Sequence, residues 1–199
     1  MTKQSLIEDL NLLWKPVQPY LARQVEELYG RRDGQLLEIG PFSGLIFVLA
    51  ERRIGRSFVI AAFPGAAFRQ SQQQSQRLGL EKEVRVIESD ASLAGVKDRS
   101  ADLAIFRGAL FFPSFFQVDF KAIDRTLRPG GIAFVGGGFG KYTPEEVIRQ
   151  IGKRSEQLNL ELGKVRISLE AVEERLKSAN LESTFQVSTE GGLWVILRK

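Results

Sequence analysis

Between residues 35 and 135, short apolar runs alternate with helical windows, and this rhythm restricts the fold more than any other feature of the chain. Five runs read as strands: 35–39, 57–62, 84–88, 101–106 and 132–135. The windows 45–53, 66–78 and 115–127 carry helical spacing, the second stopped at Gly79 and the third closed by Arg128-Pro129-Gly130-Gly131. Strands separated by helices lie parallel, joined by right-handed crossovers. Residues 4–29 read as two helices broken near Lys15-Pro16, because a proline disfavours helix in the residue before it. After Gly140 the rhythm changes: 144–158 and 169–179 are helical, while 184–188 and 193–198 are strands. Their short, Gly-rich link Thr189-Glu190-Gly191-Gly192 makes them a hairpin. The expectation is an α/β fold: a seven-stranded, mostly parallel sheet with a C-terminal antiparallel hairpin, helices on both faces and an N-terminal helical extension.

At 199 residues the chain suits a single domain, divided into N-terminal helices (1–30), a nucleotide-binding core (35–140) and C-terminal helices with the hairpin (141–199). Cysteine and histidine are both absent. That removes disulfides, a thiolate nucleophile, the commonest general base and the commonest metal ligand, so no metal site is expected. The formal net charge is +4, but the cations are scattered in short pairs such as Arg31-Arg32 and Arg52-Arg53. This reads as a solvated basic surface, with no dedicated nucleic-acid segment. The Gln- and Ser-rich stretch 70–76 reads as a solvated helix face. Glu8 and Asp9 interrupt the apolar residues of the first segment, and no run approaches the length of a membrane span, so a cytoplasmic protein is expected.

Leu36-Leu37-Glu38-Ile39-Gly40-Pro41-Phe42-Ser43-Gly44 joins the first strand to its helix. Ligands of open α/β sheets sit at the carboxyl ends of the strands, where glycines admit close backbone approach and a helix presents free amides. Taken alone, Gly40 and Gly44 are equally turn residues. Three further stretches follow in order: Ser89-Asp90-Ala91 after the third strand, Asp102-Leu103-Ala104-Ile105-Phe106-Arg107-Gly108 along the fourth, and Leu127-Arg128-Pro129-Gly130-Gly131 before the fifth. Together the set resembles the Rossmann-like class I S-adenosylmethionine (SAM) dependent methyltransferases, well over 35–140 and loosely in the hairpin. The resemblance implies SAM as cofactor. It implies that Glu38 supports the loop and the methionine end, that Gly40 and Gly44 make room, that Asp90 accepts from the adenine amino group, and that Ala91 offers its amide to the ring. On the residues alone, Asp90 also suits a helix N-cap and Ala91 a core contact.

Two positions depart from the family pattern. Phe42 stands where a third glycine is usual, so its ring is expected against the cofactor. Ala62 stands at the end of the second strand, where the family has the acidic residue that grips the ribose hydroxyls. Acceptor pockets of the fold lie beyond the fourth and fifth strands. There the chain carries Arg107 and four phenylalanines, Phe111, Phe112, Phe115 and Phe116, in six residues, followed by Gly136-Gly137-Gly138-Phe139-Gly140-Lys141-Tyr142. Phe111, Phe112 and Tyr142 are expected to line a substrate site, and Arg107 to hold a carboxylate or phosphate; a surface salt bridge is its plain alternative. The glycines from 136 to 140 suit either a hinge or a close backbone crossing. Methyl transfer depends chiefly on positioning, so the lack of His and Cys is no obstacle; Asp119, Asp124 and Tyr142 are the nearby base candidates. The leading expectation is a SAM-dependent methyltransferase acting on a small or medium apolar molecule. Its rival is a non-catalytic protein of the same fold that has lost normal SAM binding and serves as a binding or interaction module. A nicotinamide dehydrogenase lacks its glycine spacing here, and methylation of RNA would rest on basicity alone.

Overall fold

The computed structural model describes residues 2–199. Helix α1 (Lys3–Leu13), a short 3-10 turn (Lys15–Val17) and α2 (Gln18–Tyr29) precede β1 (Gln35–Ile39). Then come α3 (Leu45–Glu51), β2 (Ser57–Ala62), α4 (Gly65–Arg77), β3 (Val84–Glu88), β4 (Ala101–Arg107), α5 (Phe120–Thr126), β5 (Leu127–Gly137), α6 (Glu145–Glu161), α7 (Leu169–Ser178), β6 (Thr184–Ser188) and β7 (Leu193–Arg198). The seven strands form one sheet in the order β3-β2-β1-β4-β5-β7-β6. Strands β1 to β5 pair parallel, and β7 is antiparallel to both β5 and β6. The chain winds outward from β1 to β3 and then reverses to β4. The carboxyl ends of β1 and β4 therefore flank the switch point, where such sheets hold ligands.

One face of the sheet packs against α2 and α3 through Leu21, Val25, Leu45, Ile46 and Leu49. The other packs against α5 and α7 through Phe120, Ile123, Val172 and Leu176. A third, smaller cluster joins Leu6, Ile7 and Leu10 of α1, Leu158 of α6 and the following Leu162 with Phe42 and Phe112. Trp14 fastens this roof by donating from its indole nitrogen to Ser155 Oγ at 2.8 Å. Helices α1 and α6 thus cover the carboxyl ends of β4 and β5. Among the described residues no helix is long and apolar enough to cross a membrane.

The helix expected over 115–127 is shorter, beginning only at Phe120. Asp119 caps it, accepting from the Ala122 amide at 2.8 Å. Upstream, the Phe116 ring is held between Phe106 and Phe63, at centroid distances of 5.3 and 5.6 Å. Aromatic packing has overridden helical spacing there. Strand β5 is longer than 132–135: its start pairs with β4 at Ala101↔Leu127, and Gly136 and Gly137 still pair with β7. The helix expected over 45–53 ends at Glu51, and α6 continues to Glu161.

Candidate active site

Helix α3 has no side-chain N-cap of its own; Glu38 does that work from the end of β1. Its buried carboxylate accepts from the amides of Gly44 at 2.9 Å, Leu45 at 3.1 Å and Ile46 at 3.3 Å. A carboxylate there satisfies the free amides of the first turn and complements the helix dipole. Burial nevertheless pushes the Glu38 carboxyl above its usual range, opposed by the Arg107 charge and by those amides. Gly40 follows with φ +91°, and a methyl group added to it would lie 2.5 Å from Phe106 Cε2. Glycine is thus required here by both backbone and space.

Phe42 does not turn back over Gly40. Its ring packs on Phe112 at 5.0 Å and fills the space that a side chain at Gly108 would need, Gly108 itself having φ +71°. The ring faces the space beyond β4, and it is Phe106 that covers Gly40.

Ala62 is fully buried at the end of β2, in register with Glu88 on β3. A carboxylate therefore stands one strand away from the place where the family carries its own. Asp90 is exposed and is not a helix cap. Its Oδ1 accepts from the amide and hydroxyl of Ser92 at 2.9 and 2.6 Å, which holds its carboxyl below the usual range. No described residue donates to its Oδ2. Ala91, beside it, lines a cavity of about 710 Å³ that Phe116 and α7 also border.

A second cavity, of about 510 Å³, opens over β4 and β5 beneath α1 and α6. Arg107, Phe111 and Phe112 line it together with Phe42. Tyr142 is not brought there: its hydroxyl donates to Glu27 on α2, and the Arg23 guanidinium lies 4.1 Å from its ring centroid. Asp124 is also spoken for, buried and accepting from the amides of Glu182 and Ser183 at 2.9 and 3.2 Å. Segment 136–140 is a close crossing, with the Gly140 amide donating to Gly191 O at 2.8 Å.

Residues 37–135 match the family model for a methyltransferase domain. The chain belongs to the class I SAM-dependent methyltransferase family. Three solved structures carry the same fold over nearly its whole length. A proposed SAM-dependent methyltransferase of Methanococcus maripaludis is 24% identical, covering 99% of this chain and 91% of its own with a TM-score of 0.75. A SAM-dependent methyltransferase of Aquifex aeolicus is 15% identical, with coverages of 100% and 98% and a TM-score of 0.64. The geranyl diphosphate C-methyltransferase of Streptomyces coelicolor is 14% identical, with coverages of 90% and 79% and a TM-score of 0.61. No curated protein matches the sequence.

In this methyltransferase-fold chain the N-terminal extension is part of the cavity wall, which reading it as a mere extension missed. Asn11 reaches the cavity from α1, Trp14 from just after that helix and Trp194 from β7, with Lys164 at the rim. One sequence signal was available: both tryptophans of the chain, Trp14 and Trp194, lie here.

Proposed function

We propose that this protein transfers a methyl group from SAM to a small or medium apolar molecule held in the cavity over β4 and β5. The observation that carries the reading is that cavity: walled by Trp14, Phe42, Phe111, Phe112 and Phe139, it adjoins the β4 end of a methyltransferase-family core. Glu38, Gly40, Gly44, Asp90 and Ala91 are the residues that would hold the cofactor. The fit rests on the free Oδ2 of Asp90, which can accept from an adenine amino group; at Gly40 the Phe106 ring occupies the space beside the glycine. At the ribose, Ala62 offers no acceptor, and Glu88 in register beside it is the available carboxylate.

SAM, when bound, supplies an electrophilic methyl group. The chain's own part is to orient the acceptor against the aromatic walls and to exclude water beneath α1 and α6. Correct placement of two reactants supplies a large share of the barrier reduction in such a displacement. The scattered surface cations and the aromatic-walled cavity favour a small molecule over a nucleic acid. The S. coelicolor relative, whose solved complex holds geranyl diphosphate, is a precedent for a largely apolar acceptor on this fold. We read the chain as a single cytoplasmic domain.

A second reading, a ligand-binding module of the same fold without methyl transfer, is favoured by the missing carboxylate at Ala62 and by the Phe63–Phe106–Phe116 cluster at Gly40. Calorimetric titration of Asp90→Ala with S-adenosylhomocysteine separates the two. Under the enzyme reading the variant binds measurably more weakly than the parent, because the adenine amino group loses its acceptor. Equal affinities would remove Asp90 from the cofactor site, and no binding by either protein would favour the module.

A further inference from the structure

Arg107 is 5% exposed, and its Nη1 is buried without a hydrogen-bond partner. Glu38, the buried acid whose charge acts on it, is committed to three amides of α3. Arg107 makes no salt bridge among the described residues. Its guanidinium lies 5.8 Å from the centroid of the Trp14 ring. An arginine remains protonated in proteins, so a full charge stands in this wall with no side-chain hydrogen bond among the described residues, and only the charge of Glu38 acts on it. Leaving such a group unpaired costs several kcal/mol, which a ligand oxygen would recover.

A second orphan stands on the same rung of the sheet. Arg107 is in register with Gly136, and Gly136 with Trp194. In-register residues project to one face, so the Arg107 and Trp194 side chains share a face, with no side chain between them at Gly136. Trp194 is 1% exposed, its Nε1 has no partner, and it lines the same cavity. Two residues with unpartnered buried donors therefore line one cavity from the same face of the sheet. At the rim, Lys164 and Arg166 outnumber Glu156. The remaining lining is mostly aromatic and aliphatic, with Asn11, Ser155 and Asn159 as its polar side chains.

We propose that the cavity takes a molecule with a ring-sized apolar body and an anionic oxygen head, a carboxylate or a phosphate, the head on Arg107 and Trp194 and the body against Trp14, Phe111, Phe112 and Phe139. This rests on reading the cavity as the acceptor site. The planar guanidinium fork matches two oxygens of such a head, which an amide cannot supply.

The two tryptophans make the cavity its own reporter, since the chain has no others. The test titrates the full chain with 2-naphthoate, 2-naphthyl phosphate and 2-naphthamide and follows tryptophan quenching. At least one anionic probe should bind ten-fold or more tightly than the amide, and the tighter of the two identifies the head. Arg107→Met should abolish the preference, and Arg107→Lys, which keeps the charge and loses the fork, should retain part of it. Equal binding of all three probes, no quenching by any at millimolar concentration, or an anion preference that survives in folded Arg107→Met would overturn the proposal. The parent's own discrimination decides the matter should a variant fail to fold. SAM titration of the same samples separates this from the methyl-transfer reading. Anion preference without SAM binding keeps the present inference and removes methyl transfer; SAM binding without anion preference does the reverse.

Discussion

Phe42→Ala tests which way the departure in the glycine loop faces. The ring is 7% exposed and belongs to the cluster formed with α1, Phe112, Leu158 and Leu162. Truncating a buried phenylalanine costs about 3–5 kcal/mol, from lost transfer energy and the void left behind. Because one side of this ring already borders the 510 Å³ cavity, the void opens into existing space, and the low end, about 3 kcal/mol, applies. In a chain of this size that lowers Tm by roughly 6–12 °C. Urea denaturation gives the stability change, and calorimetry with SAM gives the functional one. Since the ring faces the space beyond β4, SAM affinity should stay within about three-fold of the parent, a change of less than 1 kcal/mol. Gly108→Ala, which meets the Phe42 ring, should be partly relieved in the Phe42→Ala background, leaving the positive-φ strain of about 1–2 kcal/mol. A stability loss below about 1 kcal/mol would mean that the ring is not packed as described. A ten-fold change in SAM affinity would mean that it touches the cofactor after all.

Ala62→Asp should tighten SAM binding roughly 5- to 150-fold if the ribose passes the end of β2, by adding a charged acceptor for its hydroxyls. The same change should lower Tm in the absence of ligand, because position 62 is fully buried and in register with Glu88, where like charges repel; a flat SAM affinity in the folded variant would place the ribose elsewhere. Burial raises the Tyr29 hydroxyl from 10.0 to about 12, the largest cause being loss of solvent. A folded-state value above the unfolded one gives stability that is complete below pH 10.0 and is lost as pH rises toward about 12. Urea midpoints measured across that range should therefore fall more steeply for the parent than for Tyr29→Phe, and parallel curves would contradict the assignment.

The sheet was legible because its strands are apolar or alternating runs bounded by turn residues, such as the buried β4 and the alternating β3. The hairpin was legible from Gly191-Gly192, where no bulky residue suits the turn. The start of α5 was not, because Phe115 and Phe116 fit a helix face locally, and only the facing rings of Phe63 and Phe106 draw Phe116 elsewhere. Motif position marked Glu38 and Asp90, but their partners differ in kind: Glu38 serves the start of α3, and Asp90 a two-residue turn onto Ser92. Arg107 and Phe112 reached the cavity because they follow a buried strand into the ligand end of the sheet. Tyr142 carried the same expectation and failed it, since its partner Glu27 lies more than a hundred residues away on α2, and no local pattern encodes that pairing. The roof formed by α1 and α6 was hidden for the same reason.

The most direct test of the account is calorimetric titration of the full chain with SAM, accompanied by thermal unfolding at increasing SAM concentration. The account predicts saturable binding with a Kd on the order of micromolar and a Tm that climbs with ligand, since binding to the folded state alone stabilises it by RT ln(1 + [L]/Kd). No heat and no thermal shift at millimolar SAM would contradict it, leaving a methyltransferase fold whose cavity serves a ligand without methyl transfer.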